Sequence, residues 1–290
     1  MSLEILGQVC INGLMIGGIY ALVSVGLSLI YGVVGFANFA HGSFLMVGMY
    51  LTWGLWRWTH LDPLLLLPLV FFCLFGIGWL FYRQLIDPII RAPDEVHLFL
   101  TLGISLMLDN GFLLAFTADR RFLKTVYADT TLYLGNLTLP LTRVLGFVMA
   151  LLIAWGLFLF LQRTKVGRAI RAVSQDRSLA ESVGVDSKQI FAVSVALGIA
   201  LAGVAGLLLT PFHPISPEVG LRYLLIAFLC VVVGGMGSLK GSILGALLVG
   251  VLYSFGYQFF GGEGGLILAY LALLTILNLR PSGLYGKELL

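Results

Sequence analysis

Catalysis needs titratable or nucleophilic side chains that converge, and this 290-residue chain offers few. His41, His60, His97 and His213 are scattered, with no HxxxH pair and no serine–histidine–acid set that falls on one face, so an enzyme is a poor reading. Cys10, Cys73 and Cys230 each lie in an apolar run, far apart and without a CxxC spacing. They read as small core residues rather than bridges or metal ligands. Asp109, followed by Asn110, stands inside the apolar stretch Leu100 to Phe116. At membrane depth a carboxylate is a functional candidate by default, whereas near an outer interface it is ordinary. A position one or two turns before Thr117 fits both readings, and no second acid or base lies nearby to form a proton relay.

Two glycine-rich breaks are the other candidates. Gly35-Phe36-Ala37-Asn38-Phe39-Ala40-His41-Gly42-Ser43 interrupts an otherwise apolar region. It reads either as broken helix lining a cavity, with Asn38, His41, Gly42 and Ser43 along a passage, or as a tight turn between two spans in which Asn38 and His41 are satisfied turn residues. The second break is Gly234-Gly235-Met236-Gly237-Ser238-Leu239-Lys240-Gly241-Ser242. Its Lys240 imitates a phosphate loop, but the G-x-x-x-x-G-K-[ST] spacing is absent, so Gly234, Gly235, Gly237 and Gly241 mark a break and not a nucleotide site. One such break in each half fits two weakly related halves, as in transport bundles.

The elements that position these residues follow from composition. Hydrophobic residues make up 59% of the chain and charged residues 11%, far from the balance of a water-soluble domain. A bilayer core needs about 20 mostly apolar residues per helix, and the chain supplies eight or nine such runs. They are drawn at 5–31, 36–56, 64–82, 97–117, 144–161, 190–210, 223–237, 242–260 and 266–279. Backbone at membrane depth must satisfy itself, so the expected fold is an all-α polytopic bundle, a single domain over 1–290 with Gly-rich broken helices. Gly13 with Gly17, and Gly237 with Gly241 and Gly245, have the GxxxG spacing of close helix contacts. The first basic residue is Arg57, so the start lacks the basic region of a signal peptide and 1–30 read as mature structure. A net charge of +3 gives no reason to expect a nucleic-acid partner.

Orientation follows the basic residues. With the loop 162–189 placed in the cytoplasm and the spans alternating outward, 11 of the 17 Lys and Arg residues fall inside, among them Arg83, Arg91, Lys240, Arg280 and Lys287. Nine spans then put the N-terminus outside and the C-terminus inside, and 118–143 becomes an outer lid. Within the basic loop, Arg168, Arg171 and Gln175 recur on one polar face, with Ala169, Ala172 and Val173 opposite. Asp176 caps a helix from Arg177, with Ser178-x-x-Glu181 as an alternative capping box, and Gly184 followed by Val185 ends it. A short capped helix carrying Ala180 and Ser182 makes a rigid knob for a partner's socket; a merely positive topological loop is the simpler alternative.

Gly18-Ile19-Tyr20-Ala21-Leu22, Asn38-Phe39-Ala40-His41-Gly42, Thr164 to Gly184, Gly234-Gly235-Met236-Gly237-Ser238 and Arg280-Pro281-Ser282-Gly283-Leu284 together resemble the branched-chain amino-acid ABC permeases, more narrowly their LivH type. The likeness runs over nearly the whole chain. It implies a non-enzymatic permease subunit in the bacterial inner membrane that pairs with a similar or identical permease, two cytoplasmic ATPases holding ATP and Mg2+, and a periplasmic binding protein. It also implies that Gly167, Arg168, Arg171, Asp176, Ala180, Glu181 and Gly184 form the ATPase-coupling region, and that Asn38 to Ser43 lie near the path. Relatives carrying urea, amides or aromatic acids leave the cargo open, and an autonomous secondary transporter or channel is the competing class.

Overall fold

The computed structural model describes residues 3–262 and 264–286. Lys287, counted above toward the inner side, lies outside the described residues. In chain order the elements are α1 (Leu3–Val34), α2 (His41–Thr59), α3 (Pro63–Phe81), a π turn (Tyr82–Ile86), a 3-10 turn (Asp87–Ile89), α4 (Asp94–Phe116), β1 (Thr131–Leu134), β2 (Leu137–Pro140) and α5 (Leu141–Arg163). The cytoplasmic candidates α6 (Lys165–Gln175) and α7 (Arg177–Ser182) follow, then α8 (Ser187–Leu209), α9 (Val219–Gly234), α10 (Leu239–Phe260) and α11 (Gly264–Leu279).

Each drawn apolar run falls on one helix, α1 to α5 and α8 to α11. Among the described residues six helices are long and apolar enough to cross a membrane: α1, α3 with its extension, α4, α5, α8 and α10. α9 and α11 are apolar but have 16 residues each. The second run begins at His41 rather than Phe36, because Gly35 turns the chain at φ +93° and ends α1. The expectation of an all-α chain needs one correction. β1 and β2 pair antiparallel around Gly135-Asn136, with Leu134 opposite Leu137, so the segment 118–143 holds a hairpin.

α1 and α8 are the buried hub, and α3, α4 and α5 expose broad apolar faces such as Phe72, Phe99, Leu114 and Trp155. Backbones meet where glycine allows it: a Cβ on Gly13 of α1 would stand 2.6 Å from the Val251 Cα of α10. Gly241 and Gly245 likewise seat α10 against Gly234 and Cys230 of α9. Gly237 does not belong to that seam, since it sits in the turn before α10 at φ +83°.

Contacts sort the connections into two ends. At one end Gln8 Nε2 donates to Thr138 O at 2.7 Å, the Tyr127 hydroxyl donates to Asp62 Oδ1 at 3.1 Å, and Arg121 pairs with Ile215 through backbone bonds. At the other end Lys188 Nζ lies 3.9 Å from Asp87 Oδ1, and the backbone N–H groups of Leu284 and Tyr285 donate to Val233 and Gly234 carbonyls at 3.0 and 2.9 Å. The basic segment 162–189 therefore shares an end with 82–93, 235–238 and 280–286.

Candidate functional site

The break after α1 is a turn, and it is sunk into the bundle. Phe36, Asn38, Ala40 and His41 are all buried. Asn38 Oδ1 accepts the Ala40 N–H at 3.0 Å and its carbonyl accepts the His41 N–H at 3.2 Å, which starts α2. His41 Nε2 lies 3.0 Å from the carbonyl of Val23. Val23 is eleven residues before the end of α1, about 16 Å back along its axis, so α2 begins deep beside α1. Gly42 is clamped there, since a Cβ would stand 2.0 Å from the Gly220 carbonyl at the start of α9.

α4 answers this turn with a polar stripe. His97, Thr101, Ser105 and Asp109 recur every fourth residue, and the first three are the buried residues of a helix that is otherwise largely exposed. His97 stacks on Phe36 with centroids 5.3 Å apart, and Thr101 Oγ1 accepts the Phe39 N–H at 3.2 Å. Ser105 and Ser43 share a hydroxyl bond of 2.8 Å, and the Asp109 carboxyl lies close to both hydroxyls. Its Oδ1 is buried without a hydrogen-bond partner. Ser43 and Asp109 are thus brought together, while Asn38 and His41 sit one to two turns away. Thr101 and Ser105 were missed in the reading above, although their four-residue spacing with Asp109 is visible in the sequence.

At the basic end the chain makes a capped pair of helices. Thr164 Oγ1 accepts the Gly167 N–H at 2.9 Å to open α6, and Gly167 fits where a Cβ would meet the Phe160 carbonyl at 2.3 Å. Arg168 points outward, its Nη1 donating to the Arg163 carbonyl at 3.2 Å. The inward face of α6 is Gly167, Ile170 and Val173, so it centres on Ile170 rather than on Ala169 and Ala172; the Arg171 Nε is buried without a partner. Asp176 caps α7 by accepting the Leu179 N–H at 3.0 Å. That bond and the Ser178 hydroxyl hold its carboxyl below the usual range. Glu181 does not complete a capping box but pairs with Arg177 at 2.9 Å, which lowers its own pKa. Gly184 closes α7 at φ +88°, its N–H bonding the Glu181 carbonyl and that of Val185 bonding the Ala180 carbonyl, both at 3.0 Å. Ala180 is turned inward, and Leu179 and Val183 are the exposed apolar residues at 66% and 78%.

The second glycine break is also an interhelical turn. Gly234 ends α9 against Gly241, Gly235 turns at φ +106°, and Ser238 Oγ accepts the Gly241 N–H at 3.1 Å to cap α10. Among the described residues no group of three or more His, Cys, Asp and Glu side chains comes together to hold a metal.

Comparison with known proteins adds the following. Residues 9–277 match the family described as "Branched-chain amino acid transport system / permease component". The chain is 31% identical to the high-affinity branched-chain amino acid transport system permease protein BraD of Pseudomonas aeruginosa, over 97% of this chain and 95% of that one. It is 30% identical to the probable branched-chain amino acid transport permease protein LivH of Methanocaldococcus jannaschii, over 96% and 91%. It is 26% identical to the same organism's probable permease LivM, over 99% and 95%. No solved structure matches the chain.

Proposed function

Because the chain belongs to the family of branched-chain amino acid transport system permease components, we propose that it is the membrane-spanning subunit of a binding-protein-dependent ABC importer for branched-chain and other hydrophobic amino acids. The observation that carries the ATP-driven reading is the α6–α7 unit. A six-residue helix is marginal alone, yet α7 is capped at both ends and turns Leu179 and Val183 outward at the basic end of the bundle. Exposed apolar residues on a rigid element mark a protein contact. The segment 162–189 is the coupling loop within one permease domain spanning 1–290, and Gly167, Arg168, Arg171, Asp176, Ala180, Glu181 and Gly184 shape it. The ATPases it meets hold ATP and Mg2+, since the glycine break at 234–241 lacks phosphate-loop spacing.

All nine apolar helices, the short α2, α9 and α11 included, cross the inner membrane with the N-terminus outside, because this puts most basic residues in the cytoplasm. A second permease, identical or of the kind LivM represents, covers exposed helix faces, and a periplasmic protein delivers cargo. The path runs by Asn38, His41, Gly42, Ser43 and Asp109. The glycine breaks at Gly35 and Gly235, both turning at positive φ, support a reading of two related halves.

Co-purification tests the partnership. A tagged chain expressed with its neighbouring transport genes should bring down an ATPase whose hydrolysis rises with the loaded binding protein. Leu179→Asp should abolish that association while leaving membrane insertion intact. Purification of the chain without an ATPase, or an association indifferent to Leu179→Asp, would overturn the coupling assignment.

A further inference from the structure

Between α2, α3 and α4 lies an open-sided cavity of about 500 Å³, within the range of small-molecule sites. Its wall is apolar and includes Val47, Leu51, Cys73, Ile77 and Phe112. Tyr50 also faces it; this side chain is 3% exposed, and its buried hydroxyl has no hydrogen-bond partner. Helix geometry joins this cavity to the polar cluster. On α2 Ser43, Val47 and Tyr50 stand at i, i+4 and i+7, and on α4 Ser105, Asp109, Phe112 and Phe116 stand at i, i+4, i+7 and i+11. Each set makes one stripe along its helix. The two hydroxyls and the carboxylate therefore lie at one end of both stripes, one or two turns before the lining residues Val47 and Phe112.

That end is chemically incomplete. Asp109 Oδ1 is buried without a partner, and none of the ion pairs among the described residues includes Asp109. Asp109 is half-buried, and a carboxylate partly withdrawn from water with no counter-charge favours a cationic partner. A hard divalent cation does not fit, because it needs six or so oxygens and the surrounding wall is hydrocarbon. A lipid chain would fill the wall but leave the carboxylate alone. A primary ammonium has three N–H donors and no acceptor, which suits one carboxylate oxygen and two hydroxyl oxygens.

Resting on the transport reading above, we propose that this cavity is a station for the hydrophobic amino acid in transit. Its side chain lies against Val47, Leu51 and Phe112, and its α-ammonium donates to Asp109, Ser43 and Ser105. The Tyr50 hydroxyl is the remaining donor on the wall and serves the substrate carboxylate. Contacts of this kind hold the cargo by a few hydrogen bonds and let it leave.

The test uses the assembled transporter, with its ATPases and binding protein, in proteoliposomes and a leucine analogue carrying a diazirine in its side chain. After irradiation, adducts mapped by mass spectrometry should fall on Val47 to Leu51 and Phe112 to Phe116, and excess leucine should remove them. Asp109→Asn should cut this labelling about tenfold or more, the effect of losing a charged hydrogen bond. Asp109→Glu should restore most of it, and Ser43→Ala with Ser105→Ala should lower it several-fold, about one neutral bond's worth each. The corresponding diazirine acid without an amino group should label weakly and without regard to Asp109. Adducts elsewhere, adducts that leucine does not displace, or labelling unchanged in Asp109→Asn would overturn the station, a lipid-filled groove being one such result. Failed ATP-dependent leucine uptake by the unaltered transporter would overturn the transport reading and the station with it, whereas normal uptake with Asp109-independent labelling would overturn the station alone.

Discussion

Gly184→Val isolates α7, the proposed coupling helix, from the rest of the fold. Nothing lies within 4 Å of a Cβ built on Gly184, so the substitution meets no steric clash. The cost comes from φ +88°, a left-handed conformation that charges an L-residue about 1–2 kcal/mol and a β-branched one more. Two backbone bonds depend on that conformation, from Gly184 to Glu181 and from Val185 to Ala180. What opposes the strain is small, because a six-residue helix is marginal alone and one exposed side chain, Asp176, caps its start. The formed-to-unformed ratio of α7 should therefore fall about 5- to 30-fold. Uptake by proteoliposomes should fall, by at most that factor, while the amount of inserted protein is unchanged. Gly184→Asn, whose side chain tolerates the left-handed region, should keep most of the activity. Full uptake in Gly184→Val, or loss of the inserted protein, would refute the reasoning.

Three further outcomes follow from other parts of the bundle. In a cysteine-free background, Val126→Cys, fully exposed in the outer loop, should react with an impermeant thiol reagent in cells with leaky outer membranes, and Leu179→Cys should not; the reverse pattern would invert the orientation. Gly42→Ala should reduce the yield of folded protein rather than merely slow transport, because its Cβ would stand 2.0 Å from a backbone carbonyl, and detergent melting curves equal to the unaltered protein would contradict the packing. In the loop between α8 and α9, burial first and the charges of Arg222 and Arg143 after it hold His213 down to about 4. Its charged form is disfavoured in the folded state, so the penalty is absent above about pH 6.5 and grows as pH falls toward 4; thermal stability over that interval should fall less in His213→Gln.

How far the sequence carried depends on which physical signal each element emits. Long apolar runs announce helices whatever their neighbours, and the nine runs land on nine helices of the described chain. The ends of α7 were legible for a similar reason, since Asp176 and Gly184 act on their own backbone. The hairpin was written in Gly135-Asn136 between Leu134 and Leu137, a two-residue turn with Gly135 at φ +62°, but the surrounding threonines read as a loop. The depth of the turn at Asn38 was not legible, because it is set by where His41 meets the Val23 carbonyl, eighteen residues away. The outward apolar residues of α7 were passed over in favour of the small ones. Only the packing of Ala180 beneath the helix shows that Leu179 and Val183 are the apolar residues left exposed.

ATP-driven import by this chain is tested most directly by reconstituting it with its partner permease, ATPases and binding protein, and following labelled leucine into vesicles with ATP supplied on the side of Arg168 and Leu179. Accumulation should require ATP, the loaded binding protein and an intact α7, and should persist when proton and sodium gradients are collapsed. Uptake that continues without ATP, or that follows an imposed ion gradient, would contradict the account and make the chain a secondary transporter.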